Sequence, residues 1–134
     1  MTAICLDKDV VRLAVFLASY DPSTLCDVID YFVNGRRPSD FERSKRNVVR
    51  GYVTRFRSYC RNDRFIVKVL TLVKGLIKTV IKYNGDGSIF CGLCGKVVSK
   101  VDPRGFRLTA AEHLWETHKD YILDTVEYVY NLIR

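Results

Sequence analysis

The sequence predicts an α+β chain that is mainly α: a helical body, a β-hairpin, a cysteine-and-histidine segment and a C-terminal amphipathic helix. Three observations carry this reading. Apolar residues recur at three- and four-residue spacing through most of positions 7–82. Asn84-Gly85-Asp86-Gly87 then reads as a strong hairpin turn. Finally, Cys91, Cys94, His113 and His118 fall at the spacing of metal ligands. The expected division is 1–87 for the helical body and 88–134 for the metal-binding segment with its terminal helix.

In chain order, Asp7 to Ser19 reads as a first helix, with Val10, Val11, Leu13, Ala14, Phe16 and Leu17 crowding one broad face. Asp21-Pro22-Ser23 stops it, and Ser23 or Asp21 can cap a second helix in which Leu25, Val28, Ile29 and Phe32 recur at helical spacing. A polar turn over 34–38 follows. Ser39-x-x-Glu42 is a capping box that opens a long third helix to about Arg61. On that helix Arg43, Arg46, Arg50, Arg57 and Arg61 lie within about 60° of one another, while Val49, Tyr52, Phe56 and Tyr59 take the adjoining side. Gly51 sits beside this stripe, where a missing side chain lets another backbone come close.

From Arg64 the apolar pairs suit one helix to Lys82, but Gly75 and the β-branched run before the turn argue for a break. The favoured division is a helix from about Asp63 to Lys74, a strand over Leu76 to Tyr83 and a paired strand over Ser88 to Cys91. After His118 a last helix runs to the end. Tyr121, Ile122, Val129, Leu132 and Ile133 share one face, and Asp120, Asp124 and Glu127 the opposite one. Packing on the N-terminal helices is one role for that apolar face, and a homodimer seam is the other.

Two thiolates and two imidazoles form the ligand set that closes a tetrahedral zinc site. Four protein ligands leave no open position for water, so one structural Zn2+ is expected rather than a catalytic one. Gly92 and Gly95 permit the tight turn around the thiols. His113 and His118 are five residues apart, about 140° on an ideal helix, so the turn holding Glu116 and Thr117 must loosen or tighten for both rings to reach one ion. A redox role for the Cys pair leaves the chain's only two histidines unexplained. Cys5, Cys26 and Cys60 remain, and reduced intracellular thiols are the expected state.

Charge is distributed unevenly. The net charge of +7 divides into −3 over residues 1–35, +11 over 36–82 and −1 over 83–134. A basic block of this kind is the footprint of a phosphate-binding surface. The candidate nucleic-acid contacts are Arg43, Arg46, Arg50, Arg57, Arg61, Arg64, Lys68, Lys74, Lys78 and Lys82. Lys and Arg interrupt the apolar runs often enough to exclude a transmembrane helix, and charges interrupt the N-terminal apolar residues where a signal peptide would need none. No Gly-rich phosphate loop and no paired catalytic carboxylates occur, so an enzyme is not expected.

Phe90-Cys91-Gly92-Leu93-Cys94-Gly95-Lys96-Val97 and the stretch Leu108 to His118 together resemble a two-Cys two-His zinc finger, with Phe106, Leu108 and Leu114 as its apolar residues. The eighteen residues between Cys94 and His113 exceed the family's usual gap of about twelve, which implies an extended hairpin or an extended loop at 101–105. Residues 7 to 91 loosely resemble a winged helix-turn-helix domain: last helix, Gly, then wing. Taken together the build resembles small archaeal or archaeal-virus DNA-binding regulators. The resemblance implies duplex DNA as partner and a role in transcription regulation. The alternative is a non-enzymatic interaction or assembly protein that binds structured RNA or an acidic protein surface.

Overall fold

The computed structural model describes residues 8–35, 43–83, 85, 88–99 and 106–133. Six helices and three short strands are found among them: α1 (Lys8–Tyr20), α2 (Pro22–Asn34), α3 (Arg43–Tyr59), α4 (Asp63–Val80), β1 (Ile81–Tyr83), β2 (Ile89–Cys91), β3 (Val97–Ser99), α5 (Phe106–Thr117) and α6 (Lys119–Ile133). The mainly helical α+β class is therefore observed. No helix among the described residues is long and apolar enough to cross a membrane.

α1 is the centre of the molecule. It packs against α2, α3, α4 and α5, and it buries Val10, Val11, Leu13, Ala14, Val15, Leu17, Ala18 and Ser19. A helix surrounded by neighbours has no use for a polar stripe, which explains why its apolar face reads so broad. α2 starts at a well-formed cap. The Asp21 carboxylate accepts from the Thr24 backbone N–H at 3.1 Å and from its hydroxyl at 2.5 Å, and Pro22 occupies the first turn, where its missing N–H costs nothing. The capping box at 39–42 lies outside the described residues.

The largest correction concerns α4. It runs unbroken from Asp63 to Val80 and passes straight through Gly75, so the expected strand shrinks to Ile81–Tyr83. Ile66, Val69, Leu70, Val73, Ile77 and Val80 are all buried. Burying six apolar side chains at helical spacing outweighs one helical glycine, which costs roughly 1 kcal/mol, and the β preference of the run. Asn62 caps the start by accepting from the Arg64 and Phe65 N–H groups at 3.1 and 3.3 Å. Gly51 is a second correction: among the described residues no atom lies within 4 Å of a Cβ built there, so no backbone approaches it.

The three strands form one antiparallel sheet in the order β1-β2-β3. Ile81 faces Cys91 and Tyr83 faces Ile89 across the first pairing, while Ile89 faces Ser99 and Phe90 faces Val97 across the second, with an irregularity between them. The middle strand therefore serves both the hairpin after α4 and the segment that carries the cysteines.

α5 returns onto α1. Ala110 and Ala111 are buried, and small side chains there permit a close approach. α6 packs chiefly on α4. Its packed row is Ile122, Val126 and Tyr130, with the Tyr130 ring stacked on Phe65 at 5.3 Å between centroids. Tyr121, Leu132 and Ile133, expected on the packed face with Ile122, are exposed instead. Buried residues from both ends of the chain, among them Val10, Phe56, Leu70, Cys91, Leu114 and Ile122, belong to one apolar cluster. Cys60 is 4% exposed and disulfide-bonded, so the expectation of reduced thiols fails at that position. Cys26 is free and exposed.

Candidate metal centre

The chain folds its four predicted ligands onto one point. One ligand atom from each of Cys91, Cys94, His113 and His118 lies within 4.8 Å of all the others. For a four-coordinate ion with sulfur at about 2.3 Å and nitrogen at about 2.0–2.1 Å, neighbouring donors sit roughly 3.3–3.8 Å apart. Cys94 Sγ and His113 Nε2 already stand at 3.4 Å. The cluster is thus close to the size one metal ion requires.

Each ligand is placed by its backbone. Cys91 ends β2, and its N–H donates to the Lys96 carbonyl at 2.9 Å while its own carbonyl accepts from the Gly95 N–H at 2.7 Å. The Leu93 N–H points at Cys91 Sγ from 3.4 Å. Gly95 closes this knuckle with φ of +76°, a left-handed conformation that favours glycine. Gly92 is needed for a different reason. Its N–H donates to the Val80 carbonyl at 2.7 Å, and a Cβ there would stand 3.0 Å from that same oxygen. The knuckle is therefore seated on the end of α4, a contact that the sequence signals only as a glycine between two cysteines.

The loosened or tightened turn expected at Glu116 and Thr117 is not seen: both residues are α-helical, and the bend comes at His118 itself. α5 ends at Thr117 and α6 begins at Lys119, leaving His118 at the junction. The hydrogen-bond ladder continues across the bend: the His118 N–H donates to the Leu114 carbonyl at 2.9 Å, and the Ile122 N–H to the His118 carbonyl at 3.0 Å. The two rings meet edge to face, with centroids 5.1 Å apart.

The electrostatics fit a cation. His118 Nε2 is buried without a hydrogen-bond partner, an expensive state for a ring nitrogen unless an ion is there to satisfy it. Burial is the main cause lowering the His113 pKa, with help from His118 and Lys96 and against Glu116. That shift keeps the imidazole in its neutral, metal-binding form. Burial likewise pushes the Cys91 thiol up, and the Leu93 N–H works the other way. A divalent cation reverses that preference by stabilising the thiolate directly. The donor set suits a borderline metal.

The predicted basic residues differ in their surroundings. Arg43, Arg46 and Arg50 are exposed on α3. Arg57 is engaged within the molecule: its guanidinium donates to both Asp63 carboxylate oxygens, at 3.3 and 2.9 Å, and lies 5.4 and 5.3 Å from the Tyr31 and Phe32 ring centroids. Arg61 and Arg64 are exposed near the start of α4, whereas Lys68 is half-buried with its ammonium 5.7 Å from the Tyr130 ring centroid. Lys74 and Lys78 line a cavity of about 350 Å³ with Ser19 and Tyr83. Lys82 is exposed on β1.

Fold and site define a helical α+β protein with a Cys2His2 group positioned to bind one metal ion. Comparison of the chain with protein-family models, with curated proteins and with solved structures returned no match.

Proposed function

We propose that this is a zinc-containing nucleic-acid-binding protein, a regulator that docks α3 on duplex DNA. The observation that carries the reading is Arg43, Arg46 and Arg50 exposed along one edge of α3, within a block of net charge +11. Among the described helices, α3 has major contacts only with α1 and α2. It packs through Val49, Val53 and Phe56 and exposes Arg43, Arg46 and Arg50. Such a peripheral helix can approach a groove, with arginines neutralising phosphates or forking onto guanine edges. α4, by contrast, is built into the core along its whole length.

Zinc is the metal that best suits two thiolates and two imidazoles, and its work here is structural. Glu112, Glu116 and Asp120 are exposed on the outer side of the histidine-bearing helices, where they repel phosphates. The finger-like segment therefore supports the fold and leaves nucleic-acid contact to α3. Self-association would use the exposed row of Tyr121, Tyr128 and Leu132 on α6, which sedimentation analysis can check directly.

The deciding experiment compares labelled duplex DNA, structured RNA and single strands at two salt concentrations. Duplex binding that weakens steeply with salt, through release of counterions from neutralised phosphates, supports the reading. Tighter binding of structured RNA at both concentrations displaces it.

A further inference from the structure

We infer that the groove between α1 and α3, walled by Arg12, Phe16, Tyr20, Tyr52 and Arg55, is a stacking site for an unpaired nucleobase. It rests on the nucleic-acid reading but lies on the other flank of α3: counting 100° per residue, Arg55 is about 140° from Arg50. Its volume is about 330 Å³, at the lower end of small-molecule sites, which run from about 300 to 1,000 Å³. That is room for one planar ligand of modest size.

The chemistry of the lining selects the ligand. Arg12 lies over the Phe16 ring, with its guanidinium carbon 4.8 Å from the centroid, and Arg55 lies over the Tyr52 ring at 5.7 Å. A guanidinium held over an aromatic ring is a flat cationic platform with one face still free, and a base can stack on it. Tyr20 is 49% exposed and adds an aromatic surface of its own, while the buried Leu17 supplies an apolar contact. The charged residues in the lining are both cationic. The nearby Asp21 carboxylate is occupied in capping α2. Burial is the main cause raising the Tyr52 pKa, so its phenol stays protonated and can donate to a base or sugar oxygen. Aromatic faces beside cations, with no carboxylate among them, match a π-faced ligand attached to a phosphate.

The test separates stacking from plain charge attraction. Binding of a short thymidine strand is compared with that of a strand of equal length whose central positions lack bases, using wild type and the triple variant Arg12→Lys, Tyr20→Ala, Arg55→Lys. The lysines keep both charges and remove the planar surfaces; circular dichroism confirms that the variant is folded. Wild type is expected to prefer the intact strand about tenfold. In the variant that preference falls to within about twofold, while affinity for the base-free strand is unchanged. Equal binding of the two strands by wild type overturns the inference, and so does a variant that keeps the preference. Duplex DNA measured on the same preparation keeps the two proposals apart: duplex binding without base preference removes only the stacking site, and loss of all binding removes both.

Discussion

The backbone N–H of Gly92 donates to the carbonyl of Val80 at 2.7 Å, fastening the cysteine knuckle to the last turn of α4. That carbonyl is among the last four of the helix, which have no partner within it. The glycine thus satisfies a helix end and positions a metal ligand with one bond. Gly92→Ala brings a Cβ to 3.0 Å from the same oxygen. It should destabilise the protein by about 1–3 kcal/mol, seen as a lower Tm with the metal content of the folded fraction preserved.

The purified protein should carry one equivalent of zinc. Cys94→Ser should lower metal content and Tm together, because metal affinity is folding free energy, on the order of 10 kcal/mol for structural zinc. Elemental analysis beside thermal unfolding, with and without a chelator, checks this. A metal-free protein that melts like the loaded one would refute it.

Acid should release the metal. The His113 pKa is lowered in the folded chain, first by burial and then by His118, so the folded state holds fewer protons on that ring than the unfolded one. Its stability contribution is present above the unfolded value, about 6.5, and is lost as pH falls below it through the lower folded value. Protons also compete with the metal for both rings and both sulfurs, and this effect has the same sign. Metal bound at pH 7 should dissociate on acidification below about pH 6, followed with a chromophoric chelator.

Arg57 and the exposed arginines of α3 should separate in their effects. Replacing Arg43, Arg46 and Arg50 by Ala should weaken duplex binding and reduce the salt slope by about one per lost phosphate contact, with little change in Tm. Arg57→Ala removes the pair with Asp63, whose two side chains are each 44% exposed. After solvent screening this costs about 0.5–1 kcal/mol, including the contacts with Tyr31 and Phe32, and DNA affinity should change less. Anisotropy titrations and thermal melts of the two variants test the division.

The four metal ligands were legible because spacing and residue type state the chemistry directly, but the irregular turn expected at Glu116 and Thr117 is absent, and the bend falls one residue later at His118. The helix through Gly75 was legible only as one of two readings, and the choice went to the strand. Its residues are β-branched, and what decides for helix is the burial of Val73, Ile77 and Val80 by elements distant in sequence. The α6 faces were divided incorrectly for a similar reason: Ile122 and Tyr121 are adjacent in sequence and both apolar, and only the position of α4 selects Ile122 and Tyr130 for burial. The pairing of Arg57 was not legible because its partners, Asp63 on the next helix and Tyr31 on α2, come into range only after folding.

β2 pairs with β1 on one edge and β3 on the other, and it ends in the first metal ligand. A finger strung on a linker is a cassette that can be cut out, duplicated or exchanged between proteins. This one shares a strand with its host, so excising it strips β1 of its only pairing partner in the sheet and uncovers the face of α1 beneath α5. Cutting the chain between β1 and β2 should therefore destabilise both halves rather than release two intact modules.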